Sequence, residues 1–274
     1  MNVREAPMLH NLSPRQQDIL AIARKEGRVN VDHLATHFAV TPQTIRKDLN
    51  DLCDSSHLQR VHGGAMFPTS TVNLGYHARR EISFEAKRRI GETIAKMIPD
   101  GASLIMNIGT TVEQVALALR QHQNLLVITN NLNVALILQE CSGIDVIVAG
   151  GMVRKSDAGI VGASAIDLIQ QFRVDYAVIG SSGIDEDGTL LDFDYREVRV
   201  AKAILGQART RILACDASKF GRRAPVQIAD VTEIDVVVTD EPPGAAFVEM
   251  CKSSDTELVL AEVDATFSPL KDAE

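Results

Sequence analysis

The sequence predicts an α/β protein in two parts, and three observations carry that reading. Residues 1–70 hold three short capped helices followed by a Gly-Gly break. Beyond Pro99, short β-rich runs alternate with helical stretches, the pattern of a mostly parallel sheet covered by helices. Charge divides in the same place. The formal net charge is -8 over 274 residues, but residues 1–68 carry 8 Lys+Arg against 7 Asp+Glu and five of the seven histidines, which leaves -9 for the remainder. The acidity therefore belongs to the second part, and the first is free to meet a polyanion.

An apolar content of 45% and a charged content of 23% fit a globular chain long enough for two domains. The longest apolar runs fall short of the roughly 18 residues of a membrane span. The opening MNVREAPMLHNLSPRQQ lacks the apolar core of a secretory signal, so a cytoplasmic location is expected. Cys53, Cys141, Cys215 and Cys251 have no paired spacing for a zinc site or a disulfide framework. Neither metal nor cofactor is expected.

Ser13-Pro14 reads as an N-cap followed by proline at the first helical position; Ile19, Leu20 and Ile22 give this first helix an apolar face, and Gly27 ends it. Asn30 caps a second helix that turns Leu34, Ala35 and Phe38 inward. After a turn at Ala39-Val40, Thr41 caps a third helix with Pro42 at its first position. There Ile45, Leu49 and Leu52 form the buried stripe and Gln43, Thr44, Arg46, Lys47 and Asn50 stay outside.

A tight turn before a third helix with Gln, Thr, Arg and Lys on its open face describes a helix-turn-helix. Arg forks onto guanine, Gln pairs with adenine, and Thr hydroxyls with helix N-terminal amides take phosphate. HLQRVHGGAMF, broken at Gly63-Gly64, reads as a β-hairpin wing with Arg60 and His62 near its tip. The candidate DNA contacts are therefore Thr41, Gln43, Thr44, Arg46, Lys47, Arg60, His62 and Gly63. HLATH spaces His33 and His37 like a metalloprotease pair, but Leu34 stands where that motif needs its Glu base, which argues against zinc hydrolysis.

TIRKDL and VHGGA resemble the DeoR-type bacterial transcriptional repressors, whose N-terminal winged helix-turn-helix carries a TxRRDL core and an HGG wing. Lys47 departs from that pattern. Lysine grips phosphate as a point charge without the bidentate fork, so base reading falls to Arg46.

FPTSTVNLGYHARREISFEAKRR has the content of a connection and passes into a charged helix from about Ser83 to Ile98. The expected organisation is a DNA-binding domain over 1–70, a linker and connecting helix over 71–98, and an effector domain over 99–274. In that last part SLIMN, LLVIT, DVIVA, DYAVIG, RILAC, DVVVT and ELVLA read as strands. The loops that follow them gather at the carboxyl edge of the sheet, where open parallel sheets bind ligands. Gly109, Thr110 and Thr111 form an anion site at a helix N-terminus. DFDYREVR and DASKFGRRA bring carboxylates, a phenol and cations, a mixture suited to a small polyhydroxyl phosphate. Neither G-x-x-x-x-G-K-[ST] nor a helix-opening G-x-G-x-x-G is present, so neither ATP nor NAD is indicated.

VITNNLNVA, QQFRVDYAVIG, SSGIDEDGTLLDFDYREVR and SKFGR extend the resemblance to the effector domain of the same family, similar in fold to ribose-5-phosphate isomerase. The resemblance implies an oligomeric repressor that leaves operator DNA when a phosphorylated metabolite binds, glycerol 3-phosphate or a related sugar phosphate. It puts the phosphate loop on Gly109, Thr110 and Thr111, and further effector contacts on Asn107, Asn130, Asn131, Gly150, Gly151, Asp194, Tyr195, Glu197 and Lys219. Asn107 stands where the family usually has Asp, which eases anion binding or alters the hydroxyls read. The alternative is a sugar-phosphate isomerase with an accessory helical domain, since a carboxylate and a lysine beside a sugar phosphate suffice for proton transfer. The capped basic helix and wing, for which an isomerase has no use, discriminate the two.

Overall fold

The computed structural model describes residues 12–54, 57–61, 63–66 and 75–262. The chain divides into two compact units, Met1–Ala78 and Arg79–Glu274.

In the first unit α1 (Pro14–Glu26) opens with a capping box: Ser13 Oγ accepts from Gln16 N at 3.2 Å, and Gln16 Oε1 accepts from Ser13 N at 2.9 Å. Gly27, at φ 73°, ends the helix in the left-handed conformation. β1 (Arg28–Asn30) follows, and Asn30 caps α2 (Val31–His37) by accepting from Asp32 N at 2.8 Å. Thr41 Oγ1 accepts from Thr44 N at 3.2 Å at the start of α3 (Pro42–Asp54). β2 (Gln59–Val61) and β3 (Gly64–Met66) form the wing hairpin, and β1 joins it in an antiparallel sheet of order β1-β3-β2. The expected elements are present, but β1 was not among them: three residues between two caps are too few to show periodicity. Ile19, Leu34, Ile45, Leu49 and Leu52 are fully buried in this unit's core, each contributing about 1.5–3 kcal/mol.

α4 (Tyr76–Glu81) crosses the boundary between the units in sequence, and α5 (Phe84–Met97) follows it. The helix expected to form part of a connection over 71–98 is instead a cover of the second unit. Its Ile90 and Ile94 are buried in the core, and Gly91 lies so close to the backbone of α6 (Thr110–Ala118) that a Cβ there would stand 2.6 Å from Gln114 C and O.

The seven β-rich runs are the seven strands of one sheet. They are β4 (Ser103–Met106), β5 (Leu125–Thr129), β6 (Ile144–Val148), β9 (Val174–Ile179), β12 (Ala208–Ala214), β14 (Val236–Thr239) and β15 (Glu257–Leu260). Their order is β15-β14-β12-β9-β4-β5-β6 and every pairing is parallel. Between β5 and β6 lies α7 (Leu132–Leu138). A short hairpin of β7 (Met152–Val153) and β8 (Ile160–Val161) follows, then α8 (Ala163–Ile169). β10 (Gly183–Ile184), β11 (Thr189–Asp192) and β13 (Val226–Asp230) form a separate antiparallel sheet, with α9 (Tyr195–Leu205) between β11 and β12. α10 (Ala245–Ser253) joins β14 to β15. From β4 the chain moves first to β5 and β6 on one side and later to β9 and beyond on the other. The carboxyl ends of β4 and β9 therefore flank the topological switch point, where open α/β sheets take ligands.

Candidate functional site

The outer face of α3 is built by its inner one. Ile45, Leu49 and Leu52 are fully buried, which at helical spacing leaves Gln43, Arg46 and Lys47 exposed. Thr41 is exposed and Thr44 half-buried, with 2.9 Å between their hydroxyl oxygens. Asp48, three residues after Ile45, is buried and takes Arg15 Nε at 2.6 Å and Nη2 at 3.3 Å, a bidentate pair that pins α1 to α3. Sequence reasoning missed that pair, although an acidic residue inside an apolar stripe was its signal. At the wing, Gly63 has φ 75°, which favours glycine, and a Cβ on Gly64 would lie 2.0 Å from Val29 O. The Arg60 side chain and His62 lie outside the described residues.

In the second unit Gly109, at φ 139°, precedes α6 without any side-chain cap, so the helix N-terminus keeps its amides for another acceptor. Thr110 and Thr111 are buried beside it. Asn107 is fully buried after β4, donating Nδ2 to Glu197 Oε1 at 3.3 Å. Asn130 donates Nδ2 to Ile160 O at 3.1 Å, and Asn131 caps α7 by accepting from Asn133 N at 2.9 Å. Six buried side-chain atoms lack a hydrogen-bond partner at this edge: Asn107 Oδ1, Asn130 Oδ1, Asn131 Nδ2, Ser181 Oγ, Asp216 Oδ2 and Thr239 Oγ1. Each lies at or just beyond the carboxyl end of one of five adjoining strands, β14, β12, β9, β4 and β5. Buried polar groups cost free energy when unpaired, so their gathering on one edge marks a place prepared for a polar ligand.

The charges beside this edge are strongly perturbed. Burial, with a further push from Asp192, raises the Glu197 carboxyl well above its usual range. Burial lowers Lys87 to about 8, with Asp216 opposing and Lys219 and Arg79 adding to the fall. Burial also lowers Lys219, against the pull of Asp216. Burial and then Arg79 lower Arg222, whose guanidinium lies 5.3 Å from the Phe193 ring centroid. Asp216, despite burial, is held below its usual value by Lys219 and Lys87. Arginine 154 gives Nε to Asp157 Oδ1 at 3.1 Å, a second nitrogen to Asp157 Oδ2, and Nη1 to Asp194 Oδ2 at 3.1 Å. The arrangement can accept an anion from amides and cations on one side and read hydroxyls with asparagine amides on the other.

Of the residues singled out in the sequence, Asn107 and Glu197 are hydrogen-bonded to each other, Asn130 and Asn131 close the adjoining strand end, and Thr110 lies beside Arg79, whose charge reaches Lys219. Gly150 and Gly151 are exposed; Gly151 permits close approach to Val161 O, 2.8 Å from where its Cβ would be, and thereby shapes the β7–β8 hairpin. Tyr195 is 64% exposed on the first turn of α9. Asp194 caps α9 and is paired with Arg154 and with Arg196, whose hydrogen bond pulls its carboxyl far down. Arg79, Lys87, Arg154, Asp157, Ser181, Ser182, Asp192, Asp216 and Arg222 were missed as site residues. DASKFGRRA contained Asp216 and Arg222, but Lys87 sits on a helix interior and Arg79 in an apparent linker, where no motif marks them.

Comparison with known proteins fits both halves. A family described as "DeoR-like helix-turn-helix domain" matches residues 15–71, and one described as "DeoR C terminal sensor domain" matches residues 82–241. A glycerol-3-phosphate regulon repressor from Escherichia coli (strain K12) is 44% identical over 90% of this chain and 98% of its own. The chain belongs to the DeoR family. A glycerol-3-phosphate regulon repressor from Haemophilus influenzae is 41% identical over 90% of this chain and 96% of its own. Among solved structures, a ribose 5-phosphate isomerase A from Methanocaldococcus jannaschii covers 50% of this chain and 55% of its own at 14% identity and a TM-score of 0.38, too distant to carry weight. As a DeoR-family member with a helix-turn-helix and a sensor domain, the protein is a DNA-binding repressor and not an enzyme.

Proposed function

We propose that this protein represses transcription in the cytoplasm as a symmetric oligomer. In this reading α3 enters the major groove, and operator DNA is released when glycerol 3-phosphate fills the carboxyl edge of the seven-stranded sheet. The six unpartnered buried polar atoms on five adjoining strand ends carry this reading. The phosphate takes the uncapped N-terminus of α6 at Gly109, Thr110 and Thr111, together with Lys219. The glycerol hydroxyls take Asn107, Asn130 and Asn131, with the buried Glu197 beside Asn107. The two relatives named for the glycerol-3-phosphate regulon support that choice of polyol phosphate.

The test is a thermal-stability titration with a panel of phosphorylated metabolites and unphosphorylated glycerol. Glycerol 3-phosphate at 100 times its dissociation constant adds about 2.7 kcal/mol to the stability of the second unit. Glycerol adds nothing. Thr110→Val and Lys219→Ala each weaken the response by about 1–3 kcal/mol while operator binding persists. Equal stabilisation by glycerol, or unchanged responses in both variants, would remove the phosphate loop from the reading.

A further inference from the structure

The two matched domains leave residues 72–81 uncovered, and that interval contains an arginine whose surroundings belong to the sensor site. Arg79 is the first residue of the second unit and lies in α4, whose first turn ends the first unit. Its side chain is 15% exposed and reaches one carboxylate, Asp157, at 3.3 Å. That carboxylate is already gripped through both oxygens by Arg154, so Arg79 is a second claimant on a charge that is largely spent. Arg79 Nε is buried without a partner. Lys87, Lys219 and Arg222 all stand close enough for the Arg79 charge to disfavour their own, in addition to the larger effect of burial. A buried guanidinium with a shared counter-ion, an unmade hydrogen bond and three cationic neighbours is a group lacking an anion.

The main chain of the same residue is tied to the anion loop. Arg79 O accepts from Thr110 Oγ1 at 3.3 Å and from Lys87 Nζ, and Lys87 Nζ also donates to Ile82 O. The carbonyls around the end of α4 are thus held by the first residue of α6 and by a buried cation of α5.

We propose that Arg79 binds the phosphate of the effector alongside Lys219 and the Gly109–Thr111 loop, and that through Arg79 occupancy of the sensor site reaches the helix leading into the DNA-binding unit. This rests on the effector reading above. The phosphate supplies the missing anion and draws the guanidinium off its shared carboxylate. Because the carbonyl of the same residue is held to Thr110 and Lys87, the end of α4 moves with it. The path is the helix itself: Arg79 lies in α4, whose first turn belongs to the first unit, whereas a residue on an element wholly inside the second unit has no such connection.

The experiment uses the full-length wild type, Arg79→Gln and Arg79→Lys, with an operator duplex recovered by wild-type selection from random sequence. Thermal shift with glycerol 3-phosphate and with inorganic phosphate reads binding, and fluorescence anisotropy of the duplex reads release. Without ligand, all three proteins melt and bind the duplex alike. Arg79→Gln needs on the order of tenfold more glycerol 3-phosphate for half its thermal shift, and it keeps the duplex even where the shift is saturated. Arg79→Lys, with the charge but not the fork, recovers part of the affinity. An Arg79→Gln protein with wild-type ligand midpoint and wild-type release overturns the inference while leaving the effector reading intact. Weaker binding with full release at saturation overturns the transmission. A wild type that no phosphate stabilises overturns both. If Arg79→Gln loses fold or operator binding without ligand, Arg79→Lys decides by the same two readouts, wild-type behaviour in both counting against the inference.

Discussion

In the first unit the candidate DNA contacts stand outside the core, with Gln43, Arg46 and Lys47 exposed on one helix. In the second they are buried, with Asn107, Asn130, Asn131 and Glu197 collected from separate segments at a sheet edge. The contrast follows from the partners. A DNA backbone keeps its charges in water, and counter-ion release drives binding, so long exposed side chains on a rigid helix suffice. A small polar ligand must be desolvated and matched group by group, which suits an edge that holds buried polar atoms without partners. The candidate contacts of the first unit thus sit on α3 and the wing, elements close in sequence, whereas those of the second are brought together by the whole sheet.

The sharpest way to break that comparison is to spoil the close backbone approach in each unit separately. In Gly64→Ala the new Cβ falls 2.0 Å from Val29 O, and in Gly91→Ala it falls 2.6 Å from the Gln114 backbone. Neither neighbour is a flexible side chain, so each change costs about 3 kcal/mol or more by overpacking. Gly64→Ala should abolish operator binding and preserve glycerol 3-phosphate stabilisation of the second unit. Gly91→Ala should do the reverse for the ligand. Two-probe denaturant melts, one following duplex binding and one following the ligand-dependent transition, check this. If either change removed both activities, the units would not be energetically separable.

The next effect sharpens the DNA half. Arg46→Ala should weaken binding to the selected duplex by about 1–3 kcal/mol and relax preference at one base pair, because a guanidinium fork reads guanine. Lys47→Ala should weaken all duplexes alike and lower the slope of log affinity against log salt by about one. A salt series on selected and scrambled duplexes separates the two roles. Identical salt slopes and identical specificity in both variants would move recognition off this face of α3.

The same contrast explains what the sequence revealed. Caps, the apolar stripe of α3 and the Gly-Gly wing are local signals, each complete within a few residues, so the first unit was legible apart from β1 and the Arg15–Asp48 pair, which closes over a long stretch of chain. The seven strands were legible because buried parallel strands are continuous apolar runs. Their terminal loops drew attention to Thr110 and Asn130, while Asn107, inside the run SLIMN, was singled out by resemblance alone. Gly150, Gly151 and Tyr195 drew notice by proximity to strand ends or by resemblance alone, and they stand exposed. Arg79 and Lys87 escaped notice because their chemistry arises only when α4 and α5 fold against the α6 loop. Nothing in their immediate neighbours differs from an ordinary charged helix.

The smallest expected effect tests whether Lys87 belongs to the anion site at all. Burial lowers its ammonium to about 8; Asp216 and Glu113 favour the charge, and Lys219 and Arg79 oppose it. In the ligand-free protein, folded Lys87 loses its proton near pH 8 while the unfolded chain keeps it to about 10.5, the ordinary value of a lysine. The unfolded state then binds more protons, so the contribution of Lys87 to stability rises with pH across that window. Ligand binding runs the other way. A phosphate among these cations favours the charged lysine, so above pH 8 binding must take up a proton and affinity falls, by at most about tenfold per pH unit. The second ionisation of a phosphate monoester lies near 6, so the ligand is already a dianion and does not cause the fall. Between pH 7 and 9 the wild type should lose about 1 kcal/mol of affinity for glycerol 3-phosphate. Lys87→Met should start weaker and show a shallower profile. Calorimetry in two buffers of different ionisation enthalpy counts the protons directly. A wild-type profile that stayed flat, with no proton uptake at pH 8.5, would place Lys87 outside the site and leave it only its hold on the carbonyls of Arg79 and Ile82.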